Sequence, residues 1–159
     1  MAKEKHTFEY ESYTELTDLS AEDQKLIKNA IEAAKKAYAP YSLFSVGAAV
    51  LLENNEIVTG NNQENAAYPS GLCAERVALF YANANYPEQS VKSIAVVAMK
   101  NGELVKTMAS PCGSCRQVIL ETETRFKQPI KIIMGSQSGY WIVKNAKELL
   151  PLSFTSDSL

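Results

Sequence analysis

Three cysteines and one glutamate carry the most legible chemistry in this 159-residue sequence. Cys112 and Cys115 lie three residues apart in Pro111-Cys112-Gly113-Ser114-Cys115, where a helix is expected to begin. Side chains at i and i+3 share a helix face, so both sulfurs can reach one ion. Cys73 stands at the expected start of another helix, in Gly71-Leu72-Cys73-Ala74-Glu75. Both helix N-termini then point at the metal and favour thiolate over thiol. Three cysteines cannot all pair as disulfides within one chain, so metal is the better use for them. Three protein thiolates leave a tetrahedral zinc ion one position short, and an open position filled by water marks a catalytic site. His6, the single histidine, is the alternative that closes the shell, but it lies far away in the N-terminal arm. Glu75 follows Cys73 by two residues. A carboxylate beside metal-held water can take its proton and later deliver it to a leaving group. The plainer alternative, a surface glutamate in a first helical turn, is disfavoured by the ligands around it.

These residues need elements to hold them. Ser20 is a plausible N-cap, followed by Glu22 and Asp23 in the first turn, where the helix dipole favours negative charge. Leu26, Ile27, Ala30, Ile31, Ala34 and Tyr38 repeat at helical spacing, with Pro40 as the stop. Val46 to Leu52 reads as an apolar strand, Glu53-Asn54-Asn55 as a turn, and Glu56 to Asn61 as the return strand. A second helix follows from about Cys73, with Val77, Phe80, Tyr81 and Ala84 as its expected buried stripe. Further strands are expected over 93–99, 130–134 and 140–143, and a third helix over 112–126. Asn101-Gly102 is a turn, and Ala146 to Leu150 one last helical turn. This order predicts an α/β three-layer α-β-α sandwich around a mixed five-stranded sheet.

The chain suits one domain with a real core: 46% of its residues are hydrophobic and 21% charged. Residues 20–159 are expected to form it, preceded by an acidic arm over 1–19. In that arm Phe8 and Tyr10 alternate with Glu9 and Glu11. A loosely held tail, an added edge strand and a subunit contact are all compatible with this pattern. The net charge of −2 and the lack of a basic stripe argue against a nucleic-acid substrate. No run approaches the ~20 apolar residues of a membrane span, and Met1 to Tyr10 is too polar for a signal peptide, so a cytoplasmic protein is expected.

Cys73-Ala74-Glu75 together with Pro111 to Cys115 resembles the zinc nucleoside deaminases, whose three-cysteine ligand set and non-ligating glutamate are a property of that class. The small homotetrameric cytidine deaminases are most similar. Pro40 to Ala49 looks like their first-strand motif, Asn62 to Tyr68 like their ribose loop, and Cys115-Arg116-Gln117-Val118 and Leu149-Leu150-Pro151 also fit. The likeness covers residues 22–159. It implies deamination of cytidine and 2′-deoxycytidine in pyrimidine salvage, with one zinc ion per chain. It further implies that Asn62 and Glu64 hold the sugar, that Phe44 lines the base pocket, and that the Ala74 N–H and Ser110 C=O meet the pyrimidine's polar edge. Phe154 is similar to an aromatic that enters a neighbouring subunit's site. Each has a bland alternative: a stabilised turn for Asn62 and Glu64, ordinary core for Phe44, packing on its own chain for Phe154. Many relatives use histidine where Cys73 stands. Three thiolates with Zn²⁺ sum to −1, which makes hydroxide harder to form. Arg76 is the natural group to offset that charge by hydrogen-bonding a thiolate, with Arg116 the second choice. Rival readings are a deaminase of a modified aminonucleoside, a polynucleotide-editing deaminase, and a zinc-stabilised binding module without catalysis.

Overall fold

The structure is a computed structural model describing residues 1–159. In chain order its elements are β1 (Glu11–Tyr13), α1 (Ala21–Ala34), β2 (Ser45–Leu52), β3 (Ile57–Asn61), α2 (Ala74–Asn85), β4 (Val91–Lys100), β5 (Glu103–Leu104), α3 (Gly113–Phe126), β6 (Lys131–Ser136) and β7 (Gly139–Val143). They build one sheet of order β1-β7-β6-β4-β2-β3, with β5 attached to β4. Only β4 and β6 run parallel; the other pairs are antiparallel.

The sheet is mixed, as expected, but has seven strands rather than five. Strand β5 is too short to show a period in the sequence, while β1 begins at the end of the Phe8–Glu11 alternation that was compatible with an added edge strand. At Asn101-Gly102 both residues have positive φ, 55° and 81°. That is the conformation of a tight two-residue hairpin, and it folds Glu103–Leu104 back onto Met99–Lys100. The polar segment Glu11–Tyr13 pairs with Tyr140–Ile142 at the sheet edge, and Tyr10 packs on Trp141 with ring centroids 4.9 Å apart.

Alternation along β2 separates the layers. Ala48, Val50 and Leu52 join Ala74, Ala78, Leu79 and Ala82 of α2 and Ile119 and Leu120 of α3. Ala49 and Leu51 point the other way, into a second core with Leu26, Ile27, Ala30 and Ala34 of α1. The stripe expected for α2 is therefore rotated: Phe80 and Tyr81 are exposed. At the start of α1 the Ser20 hydroxyl accepts the Asp23 N–H at 3.1 Å. The helix stops at Ala34, short of the expected Tyr38. The Tyr38 backbone instead donates to Asn62 O at 3.0 Å and accepts from Glu64 N at 2.8 Å. No helix is long and apolar enough to cross a membrane.

Two contacts fix the helices that matter for the site. A Cβ on Gly60 of β3 would meet Ala74 O at 2.6 Å and Ala78 N at 2.5 Å, so α2 rests directly on backbone there. At the far end of α3, buried Glu123 accepts the Ile130 and Ala146 N–H groups, both at 2.7 Å on one oxygen. Burial pushes its carboxyl above the usual range, against the pull of those two bonds.

Candidate active site

Cys73 and Cys112 occupy the N-cap positions of α2 and α3, and Cys115 lies in the first turn of α3. The three sulfurs lie within 4.8 Å of one another, with Cys73 to Cys112 at 3.8 Å and Cys112 to Cys115 at 3.5 Å. A tetrahedral ion with Zn–S bonds of ~2.3 Å holds its sulfurs about 3.8 Å apart. The donor set thus fits zinc in number, chemistry and spacing. His6 does not belong to the cluster. Neither N-cap sulfur accepts a backbone N–H of its helix.

Arg76 directs Nη2 at Cys73 Sγ, 3.6 Å away. Arg116 instead donates to Pro111 O at 2.8 Å, Leu149 O at 3.0 Å and Ser110 Oγ at 3.0 Å, clamping the loop before α3 to the C-terminal turn. Among the thiols, Cys73 is pulled down to about 5, first by the hydrogen bond from Cys115 and further by Arg76, with burial opposing. Cys115 is pushed up, as the donor of that bond and by burial. Glu75, only 4% exposed, projects from the first turn of α2. Burial raises its carboxyl above the ordinary range, and the Cys73 charge adds to the effect. A carboxyl tuned upward beside three clustered sulfurs is suited to accept and return protons.

A cavity of about 800 Å³ opens over the cluster, and Phe44, Asn62, Glu64, Cys73, Glu75 and Ser110 are among its lining residues. Ala74 is fully buried at the first position of α2, where a helix leaves its N–H unpaired. Asn62 and Glu64 face the cavity but also hold the turn before β2. Asn62 Oδ1 accepts the Val46 N–H at 2.7 Å and its Nδ2 donates to Phe44 O at 2.9 Å. Glu64 accepts the Tyr41 N–H at 2.9 Å, the Ser42 N–H at 3.3 Å and the Ser42 hydroxyl.

The family profile described as "Cytidine and deoxycytidylate deaminase zinc-binding region" matches residues 20–128. The chain belongs to the cytidine and deoxycytidylate deaminase family. All three cysteines and Glu75 fall inside the span matched to this deaminase family. A cytidine deaminase of Halalkalibacterium halodurans is 42% identical over 138 residues, covering 86% of this chain and 96% of that protein. One from Sporosarcina psychrophila is 48% identical over 136 residues, covering 86% and 93%. Among solved structures, cytidine deaminase from Burkholderia pseudomallei aligns with a TM-score of 0.69 at 38% identity, covering 82% of this chain and 97% of that one. That from Mycobacterium tuberculosis gives 0.66 at 33%, covering 86% and 99%.

Fully buried Ala74 and Cys115 lie behind the lining of the deaminase cavity, and Phe154 lies away from it within its own chain. Phe154 is 60% exposed in the C-terminal tail, where its carbonyl accepts from Gln117 Nε2 at 2.8 Å. Conversely, Tyr41, Ser42, Tyr68 and Leu72 line the cavity without having been assigned a role. Their signal was position: the first two precede Phe44 in the first-strand motif, Tyr68 closes the ribose-loop motif, and Leu72 directly precedes Cys73. Tyr41 and Tyr68 meet edge to face at 6.4 Å.

Proposed function

We propose that this family member is a zinc-dependent cytidine deaminase, hydrolysing cytidine and 2′-deoxycytidine to uridine and 2′-deoxyuridine with release of ammonia, in pyrimidine salvage. The observation that carries this reading is buried Glu75, with its raised carboxyl, beside three clustered sulfurs on a cavity of nucleoside size. Cys73, Cys112 and Cys115 hold one zinc ion, which supplies Lewis-acid activation of water when bound. Glu75 takes the proton of the attacking water, passes a proton to N3 of the pyrimidine as C4 is attacked, and protonates the departing amine. Arg76 offsets the thiolate charge through Cys73. Phe44 packs on the base, and the Ala74 N–H and Ser110 C=O address its polar edge. The N–H and the lone pair that Asn62 leaves unused, and the free lone pairs of Glu64, address the sugar hydroxyls.

The same reading makes residues 20–159 the catalytic domain and 1–19 an appended arm. It places the enzyme in the cytoplasm as a homotetramer, with Phe154 completing a neighbour's site. The substrate is the free nucleoside; neither nucleic acid nor membrane is a partner. The test is ammonia release from zinc-loaded protein given cytidine, deoxycytidine, adenosine or single-stranded oligonucleotide separately. Release from the first two alone is expected; release from adenosine or oligonucleotide alone overturns the assignment.

A further inference from the structure

Before β2 the chain makes a strained turn. Leu43 has φ of 54°, a left-handed conformation that is uncommon for a bulky non-glycine residue. Such strain persists only where surrounding contacts over-determine it. Here the contacts converge on Ser42. Its hydroxyl accepts the Phe44 N–H at 3.1 Å and donates to Glu64 Oε1. Its own N–H and that of Tyr41 donate to Glu64 Oε2. Leu43 N closes the turn on Ala39 O at 3.1 Å. One hydroxyl therefore joins the carboxylate on the sugar side of the cavity to the residue that presents the aromatic ring on the base side.

We propose that Ser42 is a positioning residue for nucleoside binding: its hydroxyl fixes the Glu64 carboxylate and, through the Phe44 N–H, holds the strained turn that aims Phe44. The inference rests on the cytidine deaminase reading. The hydroxyl adds a third donor to the carboxylate, and this bond is the first cause holding the Glu64 carboxyl below the usual carboxylate range. It also consumes one Oε1 lone pair, so the remaining lone pairs point in set directions. Without it the carboxylate can rotate on its two backbone donors, and the Phe44 N–H loses its acceptor. Ser42 touches neither the sulfurs nor Glu75 in any hydrogen bond, so the loss should fall on binding rather than on chemistry.

The experiment uses zinc-loaded full-length protein, with uridine as an equilibrium probe and cytidine as the turnover substrate. Ser42→Ala is expected to raise the uridine Kd and the cytidine KM about tenfold, the scale of one hydrogen bond to a charged group. kcat should change less than threefold, and zinc content should stay at one per chain. Ser42→Thr, which keeps the hydroxyl, should return KM to within about threefold of wild type. In a Glu64→Gln background, Ser42→Ala should add much less than its own tenfold, because interacting residues do not add. Unchanged KM and Kd in Ser42→Ala, equal falls in kcat and zinc content, or full additivity with Glu64→Gln overturns the proposal. Lack of turnover by wild-type protein overturns instead the reading on which it rests.

Discussion

Replacing Gly60 by alanine should damage the site from a position that touches no substrate. The added Cβ would lie 2.5 Å from Ala78 N and 2.6 Å from Ala74 O, where ordinary contact begins at 3.4 Å. Both obstacles are backbone, so no flexible side chain can swing aside. The first turns of α2 must retreat by roughly 0.9 Å, or β3 must buckle by as much. The retreating turns carry Glu75 and Arg76, and Cys73 caps them. The Cys73–Cys112 separation, now 3.8 Å, would move off the ~3.8 Å that a zinc tetrahedron requires. Overpacking of this kind costs about 1–3 kcal/mol, or a Tm lower by about 3–10 °C for a domain of this size. Misplacing a catalytic group by ~1 Å costs up to ~10²-fold in rate. The variant should therefore fold, bind zinc more weakly, and lose on the order of 10- to 100-fold in kcat/KM. Gly113→Ala is the matched control. A Cβ there meets nothing within 4 Å, and alanine is the better helix former by ~0.5–1 kcal/mol, so its Tm should hold or rise slightly. Chelator titration, thermal melts and steady-state deamination give the three readouts. Wild-type values of all three in Gly60→Ala would refute the claim that this contact sets the depth of α2.

Other perturbations test separate parts of the site. Glu75→Gln should keep zinc and fold but lose at least the ~10²–10⁴-fold typical of general acid–base work, measured as ammonia release; near-native turnover of zinc-replete protein sinks the shuttle role. Cys112→Ala and Cys115→Ala should each abolish stoichiometric zinc by elemental analysis, and ions retained in both would place the ligands elsewhere. For Glu123, burial raises the folded carboxyl above its unfolded value, so the folded state binds the extra proton. The stability this contributes is present below the unfolded pKa and is lost as pH rises through the folded one. The Tm of Glu123→Gln relative to wild type should accordingly climb from about pH 4.5 upward, since glutamine does not titrate; a falling difference would mean that the bonds from Ile130 and Ala146 outweigh burial. Truncation before Phe154 should raise KM while leaving zinc in place. Mixing truncated chains with full-length Glu75→Gln chains should restore activity after subunit exchange, and exchange without recovery counts against shared sites.

The chemical centre was legible because its signals are local. An i,i+3 cysteine pair behind proline shares one helix face by local geometry alone, and the resemblance to the zinc nucleoside deaminases implied that Cys73 and Glu75 join it from another helix. The alternation through Ala48, Ala49, Val50 and Leu51 likewise assigns two faces without knowledge of the partners. What stayed hidden depends on distant partners. Asn62 and Glu64 bond to backbone groups 16 to 23 residues earlier, through geometry that no local pattern encodes. The same loop captures Tyr38 and ends α1 a turn early, overriding a helical period that remained apolar. Strand β5 has two residues, too few to alternate measurably, and the three of β1 begin only where the Phe8–Glu11 alternation ends. Gly60 looked like any strand glycine until α2 was laid across it.

Cys73 and Cys112 also bear on how this enzyme can be hardened. Each occupies a position where serine, aspartate or asparagine would bond the first helical turn, and neither sulfur does. Such a cap is worth about 0.5–2 kcal/mol. A library selected solely for heat resistance of the metal-free chain would enrich oxygen side chains at both positions and discard the ion with them. Heat tolerance and turnover thus pull in opposite directions at two adjoining helix starts, and directed evolution of this scaffold has to select with zinc and substrate present.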